Sequence, residues 1–171
     1  KRLSLLLLFG TVAFGIPAFG QFDSSLIVDS FSSGHSPQGI DTIQLLDPNN
    51  NLRVSRSLLA VANSGESSVT LYSLEQDSRS LLYRLDLLRT IGGLASPYAL
   101  AACDPLVTAK LLVASAIERS LTVIEVPSGT ILGTVHFNSS PNAVECEDFN
   151  KGHAVVSLSN DTLAVVDLAS L

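Results

Sequence analysis

The sequence predicts an all-β fold assembled from repeated four-stranded antiparallel units. Three observations lead there. Val, Leu, Ser and Thr give the texture of a chain that is 46% hydrophobic, 15% charged and 6% aromatic, with no Trp, which suits strands better than helices. A Ser-Pro pair recurs at 36–37, 96–97 and 140–141. Each pair is followed by a loop and a two-part apolar stretch: "LAVANSGESSVTLYSL", "LLVASAIERSLTVIEV" and "AVVSLSNDTLAVVDL".

The chain is 171 residues long, enough for one domain with a core, and its apolar content argues against disorder. Residues 1–20, "KRLSLLLLFGTVAFGIPAFG", stand apart from the rest. A basic start at Lys1 and Arg2 precedes an apolar run from Leu3 to Phe14, and small residues follow at Ala18 and Gly20. This is the form of a secretory signal peptide. The run is short for a membrane span, and Gly15 and Pro17 break its end. Cleavage, export and no stable membrane insertion are therefore expected, with the mature chain secreted or periplasmic. Without Lys1 and Arg2 the ten basic residues become eight against sixteen acidic ones. Such a chain is poorly disposed toward nucleic acid or anionic lipid.

Residues 21–35 contain "SSLIVDSF", Ser24 to Phe31, which reads as a strand ahead of the first repeat. The repeats then start at 36, 96 and 140, spacings of 60 and 44 residues. The second parts of the apolar stretches register without gaps. Val69, Leu71 and Leu74 match Leu121, Val123 and Val126 on a shift of 52, and these match Leu163, Val165 and Leu168 on a shift of 42. On the same shifts Val61 aligns with Val113 and Val155, and Ala62 with Ala114 and Val156. The intervening "NSGESS", "SAIERS" and "SLSNDT" are turn formers, so each stretch reads as a β-hairpin. A third strand aligns at Thr90-Ile91 and Thr134-Val135. The Ser-Pro then ends it, because Pro lacks a donor and suits the point where the chain crosses over. A short strand after each Pro, "YALAAC" or "NAVEC", completes four strands.

Units of this size with four strands are the blades of a β-propeller. A blade cannot bury both faces by itself, which is the physical reason for the repetition. About three blades are present, the third stopping before its outer strand, so the ring is incomplete. "VANSGESSVTLYSL", "NDTLAVVDL", "TVHFNSSPNAV" and "TIGGLASPYAL" resemble the YVTN-type β-propeller repeat over roughly Ser36 to Leu168. Ser115 departs from that pattern by replacing its Asn. The resemblance implies that the chain is the front part of a seven-bladed protein, whose remaining blades would be its nearest partners. It also implies an alternative function, hydrolysis of lactonase type at the channel mouth.

The first unit is 16 residues longer than the second. Eight extra residues follow the first strand, around "LDPNNNLRVSR", and eight lie between the third and fourth, around "LEQDSRSLLYR". Both connections leave an up-and-down blade on the same face, where insertions can form a partner site, with tolerated loop drift as the plainer account.

No catalytic motif stands out. His35, His136 and His153 lack metal-ligand spacing, and no nucleophile elbow, phosphate loop or haem-attachment motif is present. No cofactor is expected. Asp41, Ala101 and Glu145 are equivalent on the 60 and 44 shifts. Asp41 and Glu145 are candidate oxygen ligands for a hard cation in the channel, with solvated channel polarity as the plainer account. Cys103 and Cys146 fit either a disulfide or two small buried side chains. Asn138-Ser139-Ser140 and Asn160-Asp161-Thr162 match the N-glycosylation pattern. The reading is a non-enzymatic exported scaffold that binds a protein or glycan ligand.

Overall fold

A computed structural model describes residues 34–47, 49–76, 83–103, 109–147 and 152–171. The expected signal peptide at 1–20 and the strand at Ser24–Phe31 lie outside them. The described chain is built of antiparallel strands, with two single-turn 3-10 helices at Ser64–Glu66 and Leu168–Ser170. The first sheet holds β1 (Pro37–Asp47), β2 (Asn50–Asn63), β3 (Ser68–Gln76) and β4 (Tyr83–Gly92) in that order. The second holds β5 (Pro97–Cys103), β6 (Ala109–Ser115), β7 (Ser120–Val126) and β8 (Thr130–His136). The third holds β9 (Pro141–Cys146), β10 (His153–Leu158) and β11 (Leu163–Asp167). Each sheet begins at the Pro of a Ser-Pro pair. These are propeller blades, three among the described residues and not closed into a ring.

The sheets stack face to face, with their first strands β1, β5 and β9 adjoining. Ile43, Leu45, Leu58, Ala60, Ala62, Val69 and Leu71 of the first sheet pack on Ala109, Leu111, Val113, Ile124 and Val126 of the second. The opposite face of the second sheet, with Leu112, Ala114, Leu121 and Val123, packs on Val144, Ala154, Val156 and Val166 of the third. The sheet in the middle is thus buried on both faces. That is why β6 and β7 read as nearly unbroken apolar runs rather than alternating ones.

Cross-strand pairing sets the three sheets rung against rung and corrects one alignment. Asp41–Ala60–Leu71, Ala101–Leu112–Val123 and Glu145–Val155–Val165 are three equivalent rungs. Gly39–Ala62–Val69, Ala99–Ala114–Leu121 and Ala143–Ser157–Leu163 are three more. Val155 therefore occupies the place of Leu112, not that of Val113, and Val113 corresponds to Val156. The cause is the hairpin turn. Residues 64–67 and 116–119 separate the pairs Asn63↔Ser68 and Ser115↔Ser120. In the third hairpin Leu158 N donates to Thr162 O across residues 159–161, a turn one residue shorter. A slip of one residue exchanges the two faces of a strand, so Ala154 and Val156, not Val155, face the second sheet.

The first of the two insertions takes another form than a longer connection. β1 has 11 residues and β2 has 14, against 7 each in β5 and β6. The strands themselves are lengthened. Asp47 Oδ1 accepts the Asn49 N–H at 2.8 Å at the tip of this ribbon. Ser55 is the extra residue of a bulge between Leu45↔Arg56 and Leu46↔Val54, and its hydroxyl lies 3.1 and 3.2 Å from the carbonyl oxygens of Leu45 and Leu46.

Consecutive sheets are tied at their edges as well as by their faces. Ser96 Oγ donates to Ser64 O at 3.3 Å, and Ser140 Oγ donates to Ala116 O at 3.0 Å. Both acceptors are the first turn residue of the preceding unit. Gly39 lies so close to β5 that a Cβ there would sit 2.6 Å from the Tyr98 carbonyl oxygen. Cys103 and Cys146 form a disulfide between β5 and β9, with Cα atoms 5.6 Å apart. It closes a loop spanning a 43-residue separation, for which the chain-entropy model gives about 4 kcal/mol of stabilisation. The double variant Cys103→Ser/Cys146→Ser is expected to lose roughly that amount in denaturant titration. The unaltered chain under reducing conditions should match it.

Candidate functional site

The lengthened first sheet splits at one end. Pairing of β2 with β3 stops at Ser57↔Leu74 among the described residues. Beyond it β1 and β2 run on as one ribbon to Asp47↔Asn50, and β3 and β4 as another to Gln76↔Tyr83. An open groove of about 480 Å³ lies in the fork, lined by Val54, Ser55, Arg56, Ser57, Ser73, Leu74 and Glu75. Arg56 and Glu75 are exposed, so the groove carries charges of both signs at its mouth and hydroxyl groups within. Both insertions singled out from the sequence contribute lining residues, Val54, Ser55 and Arg56 from one and Leu74 and Glu75 from the other. The fork itself was not legible, because length alone does not say whether extra residues extend strands or loops.

Asp41 and Glu145 lie on β1 and β9, as expected, but on faces of different sheets. Asp41 Oδ2 accepts the Ala102 N–H of β5 at 2.8 Å, and Oδ1 accepts its neighbour Thr42 N–H at 2.7 Å. The carboxylate thus joins the first strands of two sheets. Glu145 is exposed on the outward face of the third sheet, opposite Val155. Among the described residues no group of three or more His, Cys, Asp or Glu is arranged to hold a metal ion. Just beyond the Asp41 contact a cleft of about 220 Å³ opens between the sheets, lined by Thr42, Ile43, Gln44, Ala102, Cys103 and Ala109.

The three histidines lie apart on different elements. His35 precedes β1, with Nδ1 3.4 Å from Glu66 Oε1. His136 ends β8, and His153 opens β10 with Nδ1 3.5 Å from Glu147 Oε2. Asn138 and Asn160 are exposed in neighbouring turns, joined where Ser139 Oγ and Ser159 Oγ approach to 2.6 Å. Thr162 Oγ1 donates to Asn160 Oδ1 at 2.7 Å.

Buried polar groups cluster at the hairpin turns. Asn63 Nδ2 donates to Thr70 Oγ1 at 2.9 Å. Ser115 stands at the equivalent position and does comparable work. Its hydroxyl donates to Ala95 O and accepts the Glu118 N–H. The Tyr98 hydroxyl is buried without a hydrogen-bond partner, and burial raises its pKa above the ordinary 10.0. Burial also raises that of Tyr72, helped by the negative charge of Glu66.

No protein-family model matches the sequence, and no curated protein matches it. Solved structures do match in shape. The β-propeller domain of Cps50 (Swd1) from Myceliophteria thermophila is 15% identical with a TM-score of 0.57, over 82% of this chain and 38% of that one. A humanized mutant of the Chaetomium thermophilum Polycomb Repressive Complex 2 is 15% identical with a TM-score of 0.61, over 77% and 28%. BBS1N, in complex with ARL6DN, is 16% identical with a TM-score of 0.58, over 85% and 41%. The chain spans well under half the length of each. At this identity the likeness is one of fold.

The Asp41 contact is directly testable. A hydrogen bond to a charged group contributes about 1.5–3 kcal/mol, so Asp41→Ala should lower unfolding stability by roughly that amount. Asp41→Asn keeps one acceptor oxygen and should recover part of the loss. Urea titration of the three proteins measures both.

Proposed function

We propose that this chain belongs to an exported propeller of YVTN-type repeats that acts as a binding scaffold, with the forked end of the first sheet as its contact surface for a protein ligand. The observation that carries the reading is the fork. Two separate insertions converge there on one end of one sheet, and they open a groove with charged and hydroxyl groups. Surface elements of this kind on a rigid scaffold are where proteins place recognition. The similar folds include one seen with a protein partner and one within a multiprotein complex, which supports the class of role and says nothing of the partner here.

Export is supported by the Cys103–Cys146 disulfide, since such bonds persist in oxidising compartments. The YVTN assignment is supported by the hairpin Val61–Leu74, whose quoted motif coincides with the end of β2, the turn and β3.

A photo-crosslinking residue in place of Arg56, in the purified chain incubated with extracellular or periplasmic material, tests the assignment. Discrete adducts are expected from that position and should weaken when Glu75→Arg is added. Adducts of equal yield from Ile131, exposed on β8 of the second sheet, or none from position 56, would contradict it.

A further inference from the structure

The fork in the first sheet leaves two strand edges open and facing each other. Past the pair Ser57↔Leu74, β2 is paired on its β1 side alone among the described residues, and Glu75 and Gln76 of β3 on their β4 side alone. A strand paired on one side still presents the N–H and C=O groups of alternate residues on the other. The ladder of the second sheet ends on the matching rung, Ala109↔Val126, where β6 begins and β7 ends. The parting of the first sheet has a local cause. Ser55, the extra residue of the β2 bulge, lies two positions beyond the last β2–β3 pair, and a bulge bends its strand and adds twist. The Ser55 hydroxyl reaches the carbonyl oxygens of Leu45 and Leu46, so it holds the bend from the β1 side.

We propose that the fork takes an extended peptide segment of its ligand as an added β-strand, lying between β2 and β3 and antiparallel to β2. This mode of binding rests on the fork being the ligand's contact surface, and it adds the chemistry recognised there. β2 and β3 run in opposite directions, so an inserted strand is antiparallel to one and parallel to the other. The open edge of β2 runs from Arg56 to Asn50, while that of β3 covers Glu75 and Gln76, so β2 sets the direction. Size agrees. A residue in a sheet takes about 160 Å³, from a rise of about 3.3 Å, a strand spacing of about 4.8 Å and a sheet spacing of about 10 Å. The groove of about 480 Å³ therefore holds about three residues of a strand, which Val54, Ser55 and Arg56 can face from the β2 wall. Its lining is mostly polar, which suits recognition of main chain more than of a large side chain. Arg56 and Glu75 come next after Ser57↔Leu74, one on each wall, and strand alternation puts both on one face. Both are exposed. A ligand side chain between them meets a cation and an anion, which suits Asn or Gln, whose amide accepts from Arg56 and donates to Glu75.

The probe is a library of random octapeptides displayed on phage and selected on the immobilised full chain. Enriched sequences are made as labelled free peptides, titrated by fluorescence anisotropy, and added to the chain for hydrogen exchange. Enrichment of Asn or Gln at one position is expected. N-methylation of one peptide amide at a time should weaken binding roughly tenfold at alternate residues, whose donors face the longer edge of β2, and less at those between. The amides of residues 54–56 and 75–76 should exchange more slowly with peptide bound. Selection on Arg56→Glu should move the preference at the amide position to Lys or Arg.

Unchanged exchange of the β6 and β7 amides in Arg56→Glu reports that the stacked sheets remain folded. Losses spread evenly over the peptide amides, with protection still at 54–56 and 75–76, would overturn strand addition and leave the fork as a contact surface. Peptide binding that keeps full affinity in Arg56→Glu and gives no protection at the fork would overturn both. Failure to enrich any peptide would overturn strand addition, while crosslinking from position 56 still tests the fork as a protein contact.

Discussion

Everything in this fold depends on one constraint: a sheet with two apolar faces is stable only between two others. The second sheet shows it most plainly. Leu111, Val113, Ile124 and Val126 point one way and Leu112, Ala114, Leu121 and Val123 the other, and all are buried. Burying a side chain of this size is worth about 1.5–3 kcal/mol relative to exposure, and neither face could collect that without a neighbour. The repeat is therefore a thermodynamic necessity before it is a functional device.

Packing alone does not set register between sheets, because apolar contacts are non-directional. Directional contacts supply it here. The Asp41 carboxylate takes one amide of β5, the serines of the Ser-Pro pairs take turn carbonyls of the unit before, and a disulfide fixes β5 to β9. All of these lie on the first strands or at the turns of the sheets, and the disulfide also joins the apolar cluster between the second and third, where Cys103 is buried. The same division explains where variation is tolerated. The first sheet lengthens by extending its strands beyond the packed zone, so its fork leaves the apolar contacts of Ala60, Ala62 and Val69 as they are.

The architecture was readable from the chain because hairpin periodicity, turn chemistry and repetition agreed. The third hairpin shows where such reading fails. Gap-free alignment placed Val155 with Val113, yet the shortened turn at 159–161 moves β10 by one residue. A sequence gives no energy difference between the two registers unless the faces differ, and Val155 and Val156 look alike. Asp41 and Glu145 were recognised as equivalent, but their chemistry depended on which way the strand faces, which the shift of 60 or 44 cannot say. The cysteine pairing was open for a like reason: proximity of β5 and β9 is a consequence of stacking, not of any local motif. The fork had only a length excess as its signal.

The second sheet is packed on both faces, and the first and third each on one, among the described residues. The middle sheet must then be the most protected element of the molecule. Native-state hydrogen exchange measures this directly. The amides of β6 and β7 should exchange only through the slowest, global opening, while those of β11 exchange much faster. Exchange of β6 and β7 at rates like those of β11 would contradict the claim that the sheets are stabilised by stacking on one another.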